Sequence, residues 1–380
     1  MSTFKFSGDS FESSVFLPSH FEDQSTFVFA NSKLFNLDDI QKLPTDKDSR
    51  FWFATSGSTG IPKWVAIQKT SFLNSAKSVN GFYNLSEKDV FFQSLPLFHV
   101  GGLSIFARAH LLRAKVVTQA KPTKWSAKGF LNFISELEVS VVSLVPTQIF
   151  DICKFKLTAP SQLKFVFVGG GGLSEQLYSQ ARALGWPLIP TYGMTETSSM
   201  IAGAEPNSLK KDSMPSLTIL PHAQIKKAPD GIALVQADSL LEGHFDTVKN
   251  EFFEHSFGKW FRTTDRLELS ERKVLSVIRD SDTVKINGEL ISLIEIENVL
   301  KAQVSSNVKV MAFKDARNEN QIGVCFKTKE WPKIHLKFKT ATSIMPSIKV
   351  PHRVILLSHW PVDSMGKWNK NTFEKSLHHL

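Results

Sequence analysis

Through the first 200 residues, short apolar runs alternate with stretches of helical character, and no other feature restricts the fold as strongly. VFFQSL, AKVVTQ, VSVVSLVP, LKFVFVG and WPLIPTYG have the length and bulk of buried strands. Helices are expected over 69–82, 125–137 and 174–184, the last with Ser174 as its N-cap. Strands joined through helices are not hairpin neighbours, so the pattern predicts crossover connections and a mostly parallel sheet.

The pattern changes near Leu217. From there to Val277 the segments shorten and turn at PDG, EGH and FGKW, which predicts antiparallel β structure closing the larger domain. A second unit is expected from Ile278, with a helix over 293–302 and strands near 308–313 and 322–326. About 100 residues suffice for a small α+β domain. The expected organisation is a large α/β domain over 1–277 and a small domain over 278–380.

At 42% hydrophobic and 21% charged, a chain of 380 residues is neither disordered nor fibrous. The N-terminal MSTFKFSGDSFESSVF has no basic region followed by an apolar run, and no window holds about 18 consecutive apolar residues. A cytoplasmic protein with no membrane span is therefore expected. Cys153 and Cys325 are isolated in sequence, which gives no zinc or disulfide pattern and predicts two buried thiols. The net charge of +9 favours anionic partners. From Ile278 onward, 16 Lys and Arg face 10 Asp and Glu, scattered through apolar sequence as in KTKEWPKIHLKFKT. A solvated basic face explains that pattern better than nucleic-acid binding, and no nucleic-acid module accompanies it.

Chemistry concentrates first in Thr55-Ser56-Gly57-Ser58-Thr59-Gly60, followed by Ile61, Pro62 and Lys63. Glycines allow close backbone approach, hydroxyls and amides donate hydrogen bonds, and Lys63 adds a positive charge, a combination suited to phosphate oxygens. A bare Ser/Gly loop would be a surface turn, but Pro62 and Lys63 weigh against that. It is not the usual P-loop, in which Lys directly follows the last Gly. A second segment, Tyr192-Gly193-Met194-Thr195-Glu196, ends the last strand-like run and should sit at the carboxyl edge of the sheet, where such sheets bind ligands. Glu196 could hold Mg²⁺ bridging nucleotide phosphates, and Thr195 could bond a phosphoryl oxygen. Alone, this pentapeptide would be a turn with a solvated glutamate.

Together the two segments, in this order, resemble the adenylate-forming superfamily of acyl-CoA synthetases, luciferases and peptide-synthetase adenylation domains. The resemblance runs from about Phe51 to the C-terminus. It implies a large domain of parallel α/β subdomains with a small β-barrel-like part, and a mobile C-terminal domain with its hinge near 279–282. Val168 to Leu173 falls where the family has an adenine wall, which assigns Gly170 and Gly171 to ATP. Trp260 to Asp265 looks like the ribose motif, with Thr264 in place of the usual glycine and Asp265 retained. Arg279 would contact ribose or phosphate, and Gly288 would lie in the loop presented to CoA. At the hinge position Ser281 replaces a common aspartate or lysine, and Ile278 replaces a glycine. Pro361 to Lys367 resembles the C-terminal motif whose lysine enters the active site, which makes Lys367 the catalytic candidate and Lys370 its neighbouring alternative. A cation there would stabilise charge accumulating as a carboxylate attacks phosphate.

The acid is suggested by LPLFHVGGLSIFARAHL and SLVPTQ, which look like the o-succinylbenzoate:CoA ligases of menaquinone biosynthesis. His99 would border the acyl carboxylate; by composition it is equally a packed core histidine. Arg108 stands in an apolar stretch, where an unpaired charge is costly. It either reaches solvent or a protein carboxylate, or holds the free carboxylate of an aromatic dicarboxylic acid; the resemblance favours the last. Another acyl-CoA ligase, a carrier-loading enzyme and a nucleotide-binding pseudoenzyme are the rivals. ATP and CoA are the expected co-substrates, with Mg²⁺, and homo-oligomerisation is left open. Only about 50 residues precede the phosphate loop, so a large domain shortened at its start is expected.

Overall fold

The computed structural model describes residues 3–7, 18–30, 40–44, 49–56, 62–119, 125–211, 213–256, 258–279, 283–286, 289–314, 320–362, 368 and 373. Two compact units emerge. One comprises Met1–Ala228, Leu234–Thr263 and Glu268–Leu275, and the other Pro229–Ala233, Thr264–Leu267 and Ser276–Leu380.

In the first unit, an N-terminal sheet is built from β1 (Thr3–Ser7), β2 (Thr26–Ala30), β3 (Arg50–Ser56) and β4 (Pro62–Gln68). β1, β2 and β3 run parallel, and β4 returns antiparallel to β3. Aromatic side chains fill this layer: Trp52 and Trp64 are buried, and Phe27, Phe29, Phe51 and Phe53 pack ring against ring. Helix α1 (Lys69–Phe82) follows β4 over the range expected from sequence.

The central sheet begins with the parallel strands β5 (Val90–Phe92), β6 (Lys115–Val117), β7 (Val141–Leu144), β8 (Phe165–Val168) and β9 (Leu188–Met194), in the spatial order β6-β5-β7-β8-β9. Helices α2 (Val100–Leu112), α3 (Ala127–Glu136), α4 (Pro146–Lys154) and α5 (Glu175–Ala183) supply the crossovers. Each expected strand is present, and the expected α/β class follows. Ser174 caps α5 as its sequence implied, accepting a hydrogen bond from the Leu177 amide at 3.3 Å. The strands are nearly all buried on both faces, because helices cover each side of the sheet. One face packs on α3, α4 and α5 through Phe130, Ile134, Ile149 and Tyr178. The other packs on α1 and α2 through Val79, Tyr83, Ile105 and Ala109.

After β9 the chain reverses. β10 (Ser199–Gly203) pairs antiparallel with β9, and β11 (Leu217–Ile219) antiparallel with β10. The remaining strands of the Leu217-to-Val277 region are β12 (Ala223–Lys227), β13 (Ile232–Ala237), β14 (Gly243–Asp246), β15 (Glu251–Glu254), β16 (Phe261–Ser270) and β17 (Lys273–Arg279). β14 and β15 form an antiparallel ribbon that extends the N-terminal sheet beside β4. The division between the units passes through β13, β16 and β17.

The second unit contains a hairpin of β18 (Thr283–Ile286) and β19 (Glu289–Ser292), then α6 (Leu293–Gln303), β20 (Val308–Lys314), β21 (Asn320–Lys327), α7 (Trp331–Ser343) and β22 (Arg353–Leu357). β21 is central, antiparallel to β20 and parallel to β22. Leu300, Ile322, Val324 and Phe326 form its core. Glu297 of α6 anchors the helix to the sheet, bonding the Val310 amide and pairing with Lys301 and Lys309. Cys325 is fully buried and Cys153 half-buried, and burial raises both thiol pKa values, to about 12 and about 11. No described helix is long and apolar enough to cross a membrane.

Candidate active site

Parallel strands bring their carboxyl ends to one edge, and that edge holds several of the first unit's candidate residues. β5 leads into Ser94 and on to His99, β7 into Pro146, β8 into Gly169 to Gly172, and β9 into Thr195 and Glu196. β9 outlasts its neighbour: Val168, the last residue of β8, pairs with Pro190, so Tyr192 and Gly193 project beyond it. Gly170 and Gly171, in the loop that follows β8, are exposed. Gly193 is required by the β9–β10 hairpin, since a Cβ there would lie 1.9 Å from the Ser199 carbonyl oxygen. Thr195-Glu196-Thr197 makes a short 3-10 turn whose Thr197 hydroxyl bonds back to the Met194 backbone. Leu241 donates its amide to the Glu196 carbonyl at 2.8 Å, fixing the turn while the Glu196 side chain remains half-exposed.

The phosphate-loop candidates close a hairpin. Thr55 pairs with Lys63 and Ser56 with Pro62, and the Thr55 hydroxyl donates to the Lys63 carbonyl at 3.2 Å. Gly57, Ser58, Thr59 and Gly60 fall outside the described residues. Lys63 is exposed at the mouth of this hairpin. On its other side β4 pairs with β14, where Asp246 stands opposite Lys63. His244, two residues earlier, has its pKa lowered by burial and then by the charge of Lys63, with Asp246 opposing.

His99 is the N-cap residue of α2 and lies half-buried beside Phe98. Gly102, in the first turn, sits so close to the preceding loop that a Cβ would lie 2.1 Å from the Pro96 carbonyl oxygen. That contact fixes the helix against the SLPLFHVGG segment. From there α2 turns Ser104 and Arg108 inward, one helical turn apart. Ser104 meets Ser199 at 3.4 Å between hydroxyl oxygens, immediately after the Thr195–Glu196 turn.

Arg108 is 2% exposed and has no carboxylate partner among the described residues. Its guanidinium carbon lies 5.0 Å from the centroid of Phe167, and its Nε has no hydrogen-bond partner among the described residues. Burial pushes its pKa down to about 10, only partly offset by Tyr83. A desolvated cation–π contact contributes about 2 kcal/mol. Taking the ion out of water costs several kcal/mol. The aromatic ring therefore does not offset the burial, and an arrangement of this kind is suited to receiving an anion.

Asp265 is buried in β16, within the Thr264–Leu267 segment of the second unit, and Thr264 beside it is exposed. Arg279 ends β17. Ser281, Gly288, Lys367 and Lys370 lie outside the described residues. Sequence reasoning passed over Gln93, which ends the VFF strand as a buried amide, and His244, whose relation to Lys63 arises only from strand pairing.

A parallel sheet with glycine-rich and acidic loops at its carboxyl edge defines the first unit as a ligand-binding α/β enzyme scaffold of the kind that takes nucleotides. The family model "AMP-binding enzyme" matches residues 10–230, more than half of the chain, and the chain belongs to that family. Its relatives include a 2-succinylbenzoate–CoA ligase of Listeria innocua, 27% identical over 326 residues, covering 84% of this chain and 68% of the relative. The corresponding ligase of Oceanobacillus iheyensis is 32% identical over 262 residues, covering 65% and 52%. Among solved structures, the o-succinylbenzoate CoA synthetase of Bacillus subtilis with its acyl-adenylate intermediate superposes with a TM-score of 0.74 at 22% identity, covering 92% of this chain and 83% of that one. McyG A-PCP with phenylalanyl-adenylate gives a TM-score of 0.72 at 19% identity, covering 95% and 77%. The fold is that of the adenylate-forming enzymes.

Proposed function

We propose that this chain is an ATP-dependent acid:CoA ligase that joins o-succinylbenzoate to CoA through an acyl-adenylate, a step of menaquinone biosynthesis carried out in the cytoplasm. The observation that carries the reading is the buried guanidinium of Arg108, without a carboxylate partner among the described residues, on a helix rising from His99. Such a cation suits a substrate with two carboxylates, one held and one activated.

In the first half-reaction, an oxygen of the succinyl carboxylate attacks the α-phosphorus of ATP and pyrophosphate leaves. In the second, the CoA sulfur attacks the acyl carbon, its proton is lost and AMP departs. Thr55, Ser56, Gly57, Ser58, Thr59, Gly60 and Lys63 hold the leaving phosphates by backbone, hydroxyl and charge. Gly170, Gly171, Tyr192 and Gly193 line the nucleotide, Asp265 accepts the ribose hydroxyls, and Arg279 contacts ribose or phosphate. Thr195 donates to a phosphoryl oxygen. His99 borders the carboxylate being activated. Lys367 supplies the cation between acyl oxygen and phosphate, and Gly288 belongs to the loop facing the thiol.

Glu196 suits Mg²⁺, a hard cation that is commonly held by one or two carboxylates together with substrate phosphates. Bound there, it would neutralise charge on the departing pyrophosphate. The same reading gives the basic C-terminal segment a part in holding the CoA phosphates.

ATP–pyrophosphate exchange is the direct test, with o-succinylbenzoate, benzoate and a medium-chain fatty acid as acids. Exchange is expected with o-succinylbenzoate, followed by thioester formation on adding CoA. Exchange only with another acid would overturn the substrate, and no exchange with any acid would overturn the activity.

A further inference from the structure

Gln93 is 3% exposed, and neither Nε2 nor Oε1 has a hydrogen-bond partner among the described residues. A buried amide left unpaired costs about 1–3 kcal/mol, so an amide in this position calls for a purpose. Its backbone is regular: the Gln93 amide donates to Val117 at 3.0 Å and continues the β5–β6 ladder one residue past the strand end.

The strand pattern gives its direction. Phe92 packs on the face covered by α3, α4 and α5, and Phe91 on the face covered by α1 and α2. Alternation puts Gln93 on the side of Phe91. Register gives its level. Phe91 pairs with Val141, so Gln93 stands across from Ser143, which in turn pairs with Phe167. Gln93, Ser143 and Phe167 thus form one row across three neighbouring strands, at the carboxyl edge and on the face that carries Arg108 over Phe167. Two strand spacings separate the ends of the row, about 10 Å, a span that one aromatic dicarboxylic acid bridges.

The three positions differ in what they offer. Arg108 offers charge for a carboxylate. Ser143 holds Ser94 through its main chain, its amide donating to the Ser94 hydroxyl and its carbonyl accepting from that same hydroxyl. Gln93 offers a neutral donor and a neutral acceptor, the chemistry that recognises an uncharged carbonyl. We propose that Gln93 is a specificity-determining residue whose Nε2 donates a hydrogen bond to the ketone oxygen of the keto-acid substrate, beside the carboxylate held by Arg108. This assignment rests on the o-succinylbenzoate reading and adds to it the group that separates this acid from a dicarboxylic acid lacking a ketone.

The test compares adenylation of o-succinylbenzoate with that of its analogue in which methylene replaces the ketone. Wild type is expected to favour the keto acid by about 10- to 100-fold in kcat/KM, the effect of leaving one buried donor unpaired. Gln93→Met and Gln93→Leu keep the volume and remove the amide. Both should bring that ratio to about threefold or less while ATP binding stays unchanged. A wild-type ratio near one overturns the assignment whether or not the variants fold, and so does a ratio that survives the substitutions. Wild type that adenylates neither acid overturns the parent reading together with this one; every other outcome leaves the parent reading standing.

Discussion

The guanidinium of Arg108 lies 5.0 Å from the ring centroid of Phe167, with the side chain 2% exposed and no carboxylate partner among the described residues. If that cation holds the free carboxylate of the acid, Arg108→Ala removes a charge-assisted contact in a desolvated pocket. A loss of about 2–5 kcal/mol, or 30- to 4000-fold in kcat/KM for o-succinylbenzoate, is expected. ATP affinity should change less than about twofold. Steady-state exchange kinetics and titration with ATP read the two quantities separately, and equal activity of the variant would remove Arg108 from the pocket.

A second consequence concerns stability, and its sign is opposite. Without its anion, Arg108 is a buried charge held by one aromatic face, so Arg108→Met should raise the free energy of unfolding by about 1–3 kcal/mol. Bound o-succinylbenzoate should narrow or reverse that difference, because it stabilises only the protein carrying the arginine. Urea unfolding with and without the acid checks both parts.

Much of this was legible in the sequence, and the exceptions have physical causes. The buried strands and α1 are visible as apolar runs because helices cover both faces of the central sheet. Arg108 stood out because its neighbours in LSIFARAHLL are apolar. Gln93 did not, because VFFQSL gives no sign of whether its glutamine ends the strand in solvent or in the core. His244 was equally hidden: its proximity to Lys63 depends on β4 pairing with a strand about 180 residues away. Pairing across such a separation leaves no local trace in composition or period.

Glycine positions at the carboxyl edge divide into fixed and free. Gly102→Ala and Gly193→Ala each place a Cβ about 2 Å from a backbone oxygen, while Gly172→Ala meets nothing within 4 Å. The first two should lose about 1–3 kcal/mol or more of stability and should impair adenylation, because Gly102 seats α2 and Gly193 seats the turn holding Glu196. Gly172→Ala should unfold and exchange pyrophosphate like wild type. Thermal unfolding and exchange assays on the three variants separate these outcomes.

Acid should destabilise the second unit through Glu297. Its carboxyl pKa is lowered overall: burial raises it, but the charges of Lys309 and Lys301 and their hydrogen bonds outweigh burial. A depressed native pKa contributes stability that is full above the unfolded-state value and is lost as pH falls through the native one. The stabilising contribution should therefore decline below about pH 4.5. Glu297→Gln should cost about 3–5 kcal/mol at neutral pH, and progressively less as pH falls through the native pKa and the native carboxyl itself takes up a proton. Unfolding measured from neutral pH down through the acid range, with hydrogen exchange reporting on α6 and β20, tests the difference.

Lys63 and His244 provide a check on the hairpin that presents the phosphate loop. The His244 pKa is lowered, first by burial and then by Lys63, with Asp246 pulling the other way. Removing the lysine's charge in Lys63→Met should raise the histidine pKa toward its ordinary value, leaving the burial contribution in place. Asp246 raises the histidine pKa, so removing its carboxylate in Asp246→Asn should lower it. Both shifts require β4 and β14 to remain paired in the register that puts Asp246 opposite Lys63. Histidine resonances followed by NMR across pH 4 to 9 would display them. A His244 titration indifferent to both substitutions would mean that the ribbon of β14 and β15 is not seated against the phosphate-loop hairpin in solution.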